Sequence, residues 1–314
     1  MTGIKWVTNQ ELFEDFGYQG AISAISDLLA SGFDPATDKP RSFVNFEHGQ
    51  GLIMPSEIGE YVGLKFVTVA PNNPSKNLDR IQGIYTLFDS ETLTPLAQCD
   101  GASLTLLRTA AVSAAMISKL RLTPNPNVVV FGSGPQALAH ILAIREICQP
   151  ASISIIARNQ QSQSVLIEDL KLRGVAATVG GPGQLISADL VITTTTAREP
   201  LFVLSEISPR AVVVAVGSHE PDAREISGDV MAASQVFIEE KSAAMREAGD
   251  VIMAISDGDL DHSNLIEVKR LFAASGDAQI VADPEVIRVY KSTGMPWQDL
   301  AIFSALNKSQ LKSN

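Results

Sequence analysis

A short apolar strand that runs directly into a glycine turn and a helix constrains this chain more than any other feature. The segment 127–131 carries three consecutive valines, which is typical of a strand buried on both faces of a parallel sheet. A Gly-Ser-Gly turn follows, and an amphipathic helix is predicted over 136–147. In this GxGxxA form, exposed backbone N–H groups and the positive helix end suit a dinucleotide pyrophosphate. The predicted dinucleotide site therefore includes Gly132, Ser133, Gly134, Pro135 and Gln136.

The two halves of the chain have different patterns. In the second half, short apolar strands alternate with a helix over 162–173, and the predicted strands are 152–156, 175–179, 190–192, 211–216 and 236–238. In the first half, the predicted elements are strands near 43, 51–54, 64–69 and 83–89 and helices over 18–29 and 105–119. The fold class is therefore predicted to be α/β, with a Rossmann-type doubly wound parallel sheet at 118–294. Residues 1–117 lack a phosphate loop and are predicted to form an α+β substrate domain, onto which the C-terminal helix 295–314 packs back.

Composition excludes several classes of function. The net charge of −11 and the pI near 4.9 oppose binding to nucleic acid or to an anionic membrane. No apolar run approaches the ~20 residues that span a bilayer, and the first residues lack a signal-peptide core, so a soluble cytoplasmic protein is expected. Cys99 and Cys148 are the only cysteines, which indicates a reducing compartment without disulfides. The four histidines form no metal-ligand spacing, so no metal site is predicted.

Three basic residues stand out in the acidic first domain. Residues 1–117 contain 13 acidic and seven basic side chains, and Arg41, Lys65 and Arg108 lie in apolar elements. Lys65 alternates with Leu64 and Phe66, which places it on the opposite face of its strand. A charge in an apolar element is rarely buried without a partner. Two interpretations remain open: internal salt bridges, or a pocket for an anionic substrate.

A series of motifs then resembles the ornithine cyclodeaminase/μ-crystallin family over nearly the whole chain. The matching segments are Pro40–Arg41, Leu52–Pro55, Leu64–Thr68, Pro71–Pro74, Gln82–Gly83, Leu104–Ala111, Gly132–Ala137, Ala215–Asp222, Arg224–Glu225 and Glu247–Asp250. The resemblance implies that Arg41, Lys65 and Arg108 converge on the carboxylate of a small imino or amino acid. An arginine fork suits that role because it can hold a carboxylate with two parallel hydrogen bonds. It also implies a substrate pocket that includes Met54, and a homodimer formed through the first domain.

The sequence after the second strand of the Rossmann unit bears on the choice between NADH and NADPH. NAD-binding Rossmann units carry an acid about 20 residues after the glycines, whereas the strand here ends in Ala157-Arg158-Asn159. Arg158 can pair with a 2′-phosphate, so NADPH is favoured and NADH remains possible; the alternative is a solvated loop arginine. The resemblance also implies that Thr109, Asn159, Thr194, Val216 and Gly217 line the cofactor.

The position two residues beyond Gly217 separates two reactions. Ornithine cyclodeaminases carry an aspartate base there, whereas this chain has His219. This difference argues against ornithine cyclisation as the reaction. The pattern more resembles relatives that reduce cyclic ketimines such as Δ1-pyrroline-2-carboxylate, with Lys65 and His219 as candidate catalytic groups. His219 is equally open to a merely polar role at a strand end. Alternative functions are the cyclodeaminase, an amino-acid dehydrogenase or opine-type synthase, and a non-catalytic binding protein like μ-crystallin. Asp299 matches a family aspartate, and a helix cap is its simpler interpretation.

Overall fold

The computed structural model describes residues 4–274 and 279–312, and the chain divides into two compact units. The first unit comprises Met1–Val112 with Gly294–Asn314, and the second comprises Ser113–Thr293. These bounds lie within a few residues of the expected domain boundaries. The C-terminal segment Gly294–Asn314 belongs to the first unit.

The first unit is a six-stranded sheet with helices against one of its faces. Its strands are β1 (Lys5–Val7), β2 (Ser42–Phe46), β3 (Gly49–Ile58), β4 (Tyr61–Val69), β5 (Ile81–Asp89) and β6 (Pro95–Asp100). Its helices are α1 (Gly17–Ala30), the first part of α2 (Gly101–Lys119) and the C-terminal α9 (Pro296–Lys312). Shorter turns are a π turn (Glu11–Phe16) and 3-10 turns (Pro35–Thr37, Asn73–Lys76). The strand order is β1-β6-β5-β4-β3-β2, antiparallel except for the parallel pair β1–β6.

One face of this sheet carries the core of the unit. Helix α9 packs against β3 and β4 and also against α1. Residues Met54, Lys65, Tyr85 and Cys99 lie in register across β3 to β6, and each is at most 3% exposed. The strands β1 and β6 were not predicted, because β1 has only three residues and the polar Gln98 and Asp100 conceal the pattern of β6.

The second unit is an eight-stranded parallel sheet, in the order β13-β12-β14-β11-β10-β7-β8-β9. Its strands are β7 (Asn127–Phe131), β8 (Ser152–Ile156), β9 (Thr178–Val179), β10 (Leu190–Thr193), β11 (Val212–Ala215), β12 (Ser234–Ile238), β13 (Leu265–Glu267) and β14 (Ile287–Lys291). Its helices are α3 (Pro135–Ile144), α4 (Gln160–Leu172), α5 (Gly228–Ala232), α6 (Lys241–Glu247), α7 (Gly249–Asp257) and α8 (Lys269–Phe272), with 3-10 turns at Pro182–Ser187, Leu204–Glu206 and His262–Asn264. The α/β fold class, with a parallel Rossmann-type sheet and a second sheet, is confirmed.

Three details of this sheet differ from prediction. The strand expected over 175–179 is reduced to Thr178–Val179. Strands β13 and β14 were missed, although β14 lies in the middle of the sheet between β12 and β11. Its sequence, IRVYK, does not have the continuous apolar pattern of a buried strand, yet all five residues are buried. The charges are tolerated because Arg288 donates to backbone carbonyls and Lys291 pairs with Asp250.

Helix α2 is long and apolar enough, by length and composition, to cross a membrane. However, 72% of its apolar window is buried inside the protein. Its alanine-rich middle, including Ala110, Ala111, Ala114 and Ala115, is fully buried, which is typical of a core helix in a globular protein.

Candidate active site

Lys65 is the centre of a buried charged cluster in the first unit. It is 1% exposed, and its strand neighbour Phe66 is 39% exposed, as the alternation of β4 predicts. Lys65 Nζ lies 2.6 Å from Asp299 Oδ2 and 3.2 Å from Thr105 Oγ1. Met54, the predicted pocket residue, is the partner of Lys65 across the strand pair β3–β4. The salt-bridge interpretation is therefore correct for Lys65, and it does not preclude an anion site.

Asp299 is the functional candidate that sequence reasoning misjudged. It lies within the first turn of α9 and is fully buried, so the helix-cap interpretation is wrong. The cap is supplied by Asp38, whose Oδ2 accepts the backbone N–H of Trp297 at 2.7 Å. The Asp38 carboxylate is largely buried, and burial raises its pKa to about 6, with hydrogen bonds from Ser56 and Trp297 opposing the shift. Local sequence carries no signal for the Lys65–Asp299 pair, because its members are 234 residues apart.

Arg108 completes the cluster from helix α2. Its Nη1 donates to Gln298 Oε1 at 2.9 Å, and its Nε lies 3.8 Å from Asp299 Oδ1, too far for a hydrogen bond. Among the described residues, Arg108 Nε and Asp299 Oδ1 are both buried without a hydrogen-bond partner. Buried polar atoms of this kind are costly unless a water or a ligand satisfies them. The cluster therefore has a donor and an acceptor available for a polar ligand.

The charges in this cluster change the acidity of Lys65. The pKa of Lys65 is lowered to about 8, first by burial and then by the neighbouring charges of Arg108 and Arg41, while Asp299 opposes the shift. Arg108 lies near Asp299, and the predicted convergence of Arg41 on this cluster stays a prediction. Arg41 also lies over the ring of Phe43, with 5.9 Å from Cζ to the ring centroid. An ammonium with a pKa near neutrality can act as a proton donor.

The glycine turn of the second unit has the geometry that a dinucleotide needs. Gly132 has a φ of +115°, and a Cβ atom on it would lie 2.6 Å from Thr194 Oγ1, so only glycine fits. Gly134 precedes the first turn of α3, with Pro135 in that turn, and is exposed. Gln136 Oε1 is buried and lacks a hydrogen-bond partner among the described residues. Open backbone N–H groups at a helix N-terminus are compatible with a bound pyrophosphate, whereas the Gln136 oxygen is an acceptor that needs a donor.

The next predicted cofactor residues lie in or near the connection between β8 and α4. Asn159 caps α4, because its Oδ1 accepts the N–H of Ser162 at 3.0 Å. The hydroxyl of Ser133 is hydrogen-bonded to the hydroxyl of Ser162 at 2.7 Å, which fixes the glycine turn against this helix. Arg158 is exposed at the end of β8. No acid occupies the segment from Ala157 to Gln160, so the site has no carboxylate that would repel a 2′-phosphate.

The carboxyl ends of β10 and β11 hold the remaining predicted residues of the second unit. The Thr194 hydroxyl donates to the Phe131 carbonyl at 3.0 Å, directly beside the glycine turn. Val216 donates its backbone N–H to the carbonyl of Thr193, and His219 is exposed in the loop that follows. Thr109, in the first unit, donates its hydroxyl to the Thr105 carbonyl within α2. The roles of these residues in binding or catalysis stay predictions.

Glu225 is a buried group that the sequence prediction did not include among the site residues. It is fully buried and accepts hydrogen bonds from the ends of both β10 and β11. The Arg224–Glu225 motif is the sequence signal that could have identified Glu225 as a site residue. Among residues 4–274 and 279–312, no group of three potential metal ligands occurs, and both cysteines are free thiols.

A Rossmann sheet with an intact glycine turn, together with a buried cationic cluster, defines a class: an oxidoreductase that uses a nicotinamide dinucleotide. The family model for the ornithine cyclodeaminase/mu-crystallin family matches residues 2–314. The Delta(1)-pyrroline-2-carboxylate reductase of Bacillus thuringiensis subsp. konkukian is 31% identical over 274 residues, or 85% of this chain and 83% of that protein. The chain therefore belongs to the ornithine cyclodeaminase/mu-crystallin family.

Solved structures agree with this assignment at the level of the fold. The Delta(1)-pyrroline-2-carboxylate reductase of Thermococcus litoralis, in complex with NADH and L-proline, superposes with a TM-score of 0.88 at 22% identity and covers 99% of this chain and 98% of its own. An archaeal alanine dehydrogenase dimer with bound NAD has a TM-score of 0.87 at 24% identity, with 99% and 97% coverage. The resemblance inferred from the sequence motifs is confirmed.

Proposed function

We propose that this protein reduces a cyclic ketimine carboxylate, Δ1-pyrroline-2-carboxylate or its six-membered analogue, to L-proline or L-pipecolate. The observation that carries the proposal is the buried Lys65–Asp299–Arg108 cluster, in which one donor and one acceptor have no hydrogen-bond partner among the described residues. The carboxylate of such a ketimine can accept from Arg108 Nε, and its nitrogen, once protonated, can donate to Asp299 Oδ1. The 31% identical bacillar reductase supports the same substrate class.

The residues of the cluster have distinct tasks in this mechanism. Arg108 and Arg41 hold the substrate carboxylate, and the fixed pose lowers the entropic part of the barrier. Lys65 donates a proton from Nζ to the imine nitrogen, and Asp299 holds the ammonium through a bond of 2.6 Å. When bound, the reduced nicotinamide supplies the hydride that the imine carbon accepts. The C=N bond becomes a CH–NH bond, and Lys65 regains its proton from water.

The second-unit residues support NADPH as the reductant. An exposed Arg158 at the end of β8 can pair with a 2′-phosphate, and no carboxylate follows it before α4. Arg158→Ala should therefore weaken NADPH more than NADH, with Arg173→Ala, an exposed arginine at the other end of α4, as the matched control. An affinity for NADH that equals or exceeds that for NADPH in the unsubstituted protein contradicts this preference.

A homodimer is also proposed, from the uncovered face of the first sheet. Trp6, Val44, Phe46, Phe66 and Ile84 are each 38–53% exposed, and the strand registers put them on the face opposite Lys65. An apolar surface of this extent is typical of an interface, and a second copy of the chain is the partner that we propose. The dimeric archaeal alanine dehydrogenase supports it. Phe66→Glu should yield a monomer by light scattering, and an unchanged mass would contradict the proposal.

The decisive test of the reaction is the loss of NADPH absorbance with purified protein and each cyclic imine. Rapid oxidation supports the reductase, and the ratio of the two rates gives the preference for ring size. Release of ammonia from ornithine in a parallel NAD-containing sample, without imine reduction, would replace the proposal with a cyclodeaminase in which His219 takes the place of the usual aspartate. Reduction only of an acyclic keto acid with an amine would indicate an amino-acid dehydrogenase or opine-type synthase. Binding of substrate and dinucleotide without turnover would indicate a binding protein.

A further inference from the structure

Glu225 joins the ends of two neighbouring strands in the second unit. Its Oε2 accepts the Thr193 hydroxyl at 2.8 Å and the backbone N–H of Gly217 at 2.8 Å. Its Oε1 accepts the backbone N–H of Thr195 at 2.9 Å and the Thr195 hydroxyl at 2.6 Å. One fully buried carboxylate thus fixes the end of β10 and Gly217, two residues after β11.

The segment that Glu225 fixes lies against the glycine turn. Thr194 is between the two threonines bound by Glu225, and its own hydroxyl donates to the Phe131 carbonyl at 3.0 Å. The same hydroxyl oxygen would be 2.6 Å from a Cβ atom at Gly132. Therefore a displacement of residues 193–195 would reach the glycine turn directly through Thr194.

A second buried pair holds Glu225 itself in place. Asp250 Oδ1 accepts the backbone N–H groups of Glu225 at 2.6 Å and Ile226 at 2.8 Å. Asp250 Oδ2 is paired with Lys291 Nζ at 2.8 Å, and Lys291 donates to the carbonyl of Ser218. The loop from Gly217 to Glu225, which carries His219, is thus fixed at both ends by buried charges.

We infer that Glu225 is a positioning residue for the dinucleotide site: it sets the threonine segment against the glycine turn and fixes the backbone at Gly217. The inference rests on the proposed cofactor site of the second unit and not on the identity of the substrate. Four donors converge on this carboxylate, and a side-chain amide cannot accept from all of them, because its NH₂ group would face a backbone N–H. Glu225→Gln therefore disrupts the contact while nearly preserving side-chain volume.

The chain offers a matched control in Glu239, which is also a buried carboxylate at the end of a strand of this sheet. Glu239 is 2% exposed and accepts from Tyr290, from Ser292 and from both the N–H and the hydroxyl of Thr293. None of these donors belongs to the threonine segment 193–195 or to Gly217. Glu239→Gln should therefore destabilise the unit without a specific loss of dinucleotide affinity.

The test compares NADPH and NADH dissociation constants, from nicotinamide fluorescence without substrate, with the thermal midpoint of each variant. We expect Glu225→Gln to raise the dissociation constant at least about tenfold, and Glu239→Gln to change it less than about threefold. Unchanged affinity in Glu225→Gln, or equal losses in both variants, overturns the inference.

A milder variant covers the case in which Glu225→Gln does not fold. Thr193→Val removes one donor to Glu225 at nearly constant volume, and we expect a rise of roughly threefold in the dissociation constant. No change in that variant overturns the inference. If the unsubstituted protein binds neither dinucleotide, the proposed function fails first, and this outcome is distinct from a failure of Glu225 alone.

Discussion

Each unit of this protein contains a buried lysine–aspartate pair, and the two pairs have different surroundings. Lys65 and Asp299 lie 2.6 Å apart in the first unit, and Lys291 and Asp250 lie 2.8 Å apart in the second. In all four residues the side chain is at most 1% exposed. The two pairs are therefore alike in burial and charge. They differ in the contacts that their other polar atoms make.

In the second unit the hydrogen bonds of the pair end in the backbone, and Asp250 Oδ2 has the ion pair with Lys291 Nζ at 2.8 Å but no hydrogen bond among the described residues. Asp250 Oδ1 accepts two backbone N–H groups, and Lys291 donates to a backbone carbonyl. In the first unit Asp299 Oδ1 has no hydrogen-bond partner among the described residues, and neither has the nearby Arg108 Nε. A pair whose hydrogen bonds end in the backbone fixes a loop, whereas a pair beside a second cation with an unsatisfied donor can bind an anionic ligand. The comparison assigns chemistry to the first pair and scaffolding to the second.

The largest expected effect is on turnover. Lys65→Met removes the proton donor, so we expect kcat for imine reduction to fall roughly 10²–10⁴-fold. The dissociation constant for NADPH should stay within about twofold, because the glycine turn is unaltered. Steady-state kinetics and nicotinamide fluorescence measure the two quantities, and equal losses in both would mean that Lys65 is structural.

The next effect is on stability, and it should be larger for the scaffolding pair. Lys291→Met leaves Asp250 buried without its cation, so we expect the free energy of unfolding to fall by roughly 3–5 kcal/mol. Lys65→Met should cost less, because Arg108 remains near Asp299. Urea unfolding of both variants measures this difference. A greater loss in Lys65→Met would reverse the assignment of the two pairs.

The pH dependence follows from the lowered pKa of Lys65. Burial brings this pKa to about 8, so Lys65 is an ammonium below pH 8 and loses its proton as the pH rises further. Because imine reduction consumes that proton, kcat should be flat below the pKa and fall roughly tenfold per pH unit above it. A pH–rate profile of the unsubstituted protein tests this. A rate that rises above pH 8 would rule out Lys65 as the proton donor.

The smallest expected effect concerns the position of Arg108. Gly294 has a φ of +80°, and a Cβ atom there would lie 2.8 Å from Arg108 Nη2 and overlap Nη1. Gly294→Ala should therefore displace the guanidinium and raise the KM for the imine roughly tenfold, with a smaller change in NADPH affinity. Gly258→Ala is a suitable control, because it also has a positive φ but no atom within 4 Å of the added Cβ. An equal rise of KM in both variants would attribute the effect to backbone strain.

The local parts of both sites could be predicted from the sequence. The valine run, the glycine turn and the following helix are contiguous, so their pattern identifies the dinucleotide unit directly. The alternation of Lys65 with Leu64 and Phe66 correctly placed the lysine on the opposite face of β4, and the structure shows that this face is the buried one. Local periodicity is informative here because each feature depends only on neighbours in the chain.

The partners of the buried charges could not be predicted in the same way. Asp299 reaches Lys65 from the far end of the chain, and Lys291 pairs with Asp250 through a strand that the sequence analysis missed. Strand β14 escaped detection because its arginine and lysine break the apolar pattern: Arg288 donates to backbone carbonyls inside the protein, and Lys291 pairs with Asp250. Only the tertiary structure identifies such pairs.

The most direct test of the account uses NADPH with deuterium at the transferred position of C4 and Δ1-pyrroline-2-carboxylate as substrate. Mass spectrometry and NMR of the product should find one deuterium on the α-carbon of L-proline. The amount should fall to the background rate in Lys65→Met although that variant still binds NADPH. Proline without deuterium, or equal deuterium incorporation by Lys65→Met, would contradict the claim that the Lys65–Asp299–Arg108 cluster drives hydride transfer to an imine.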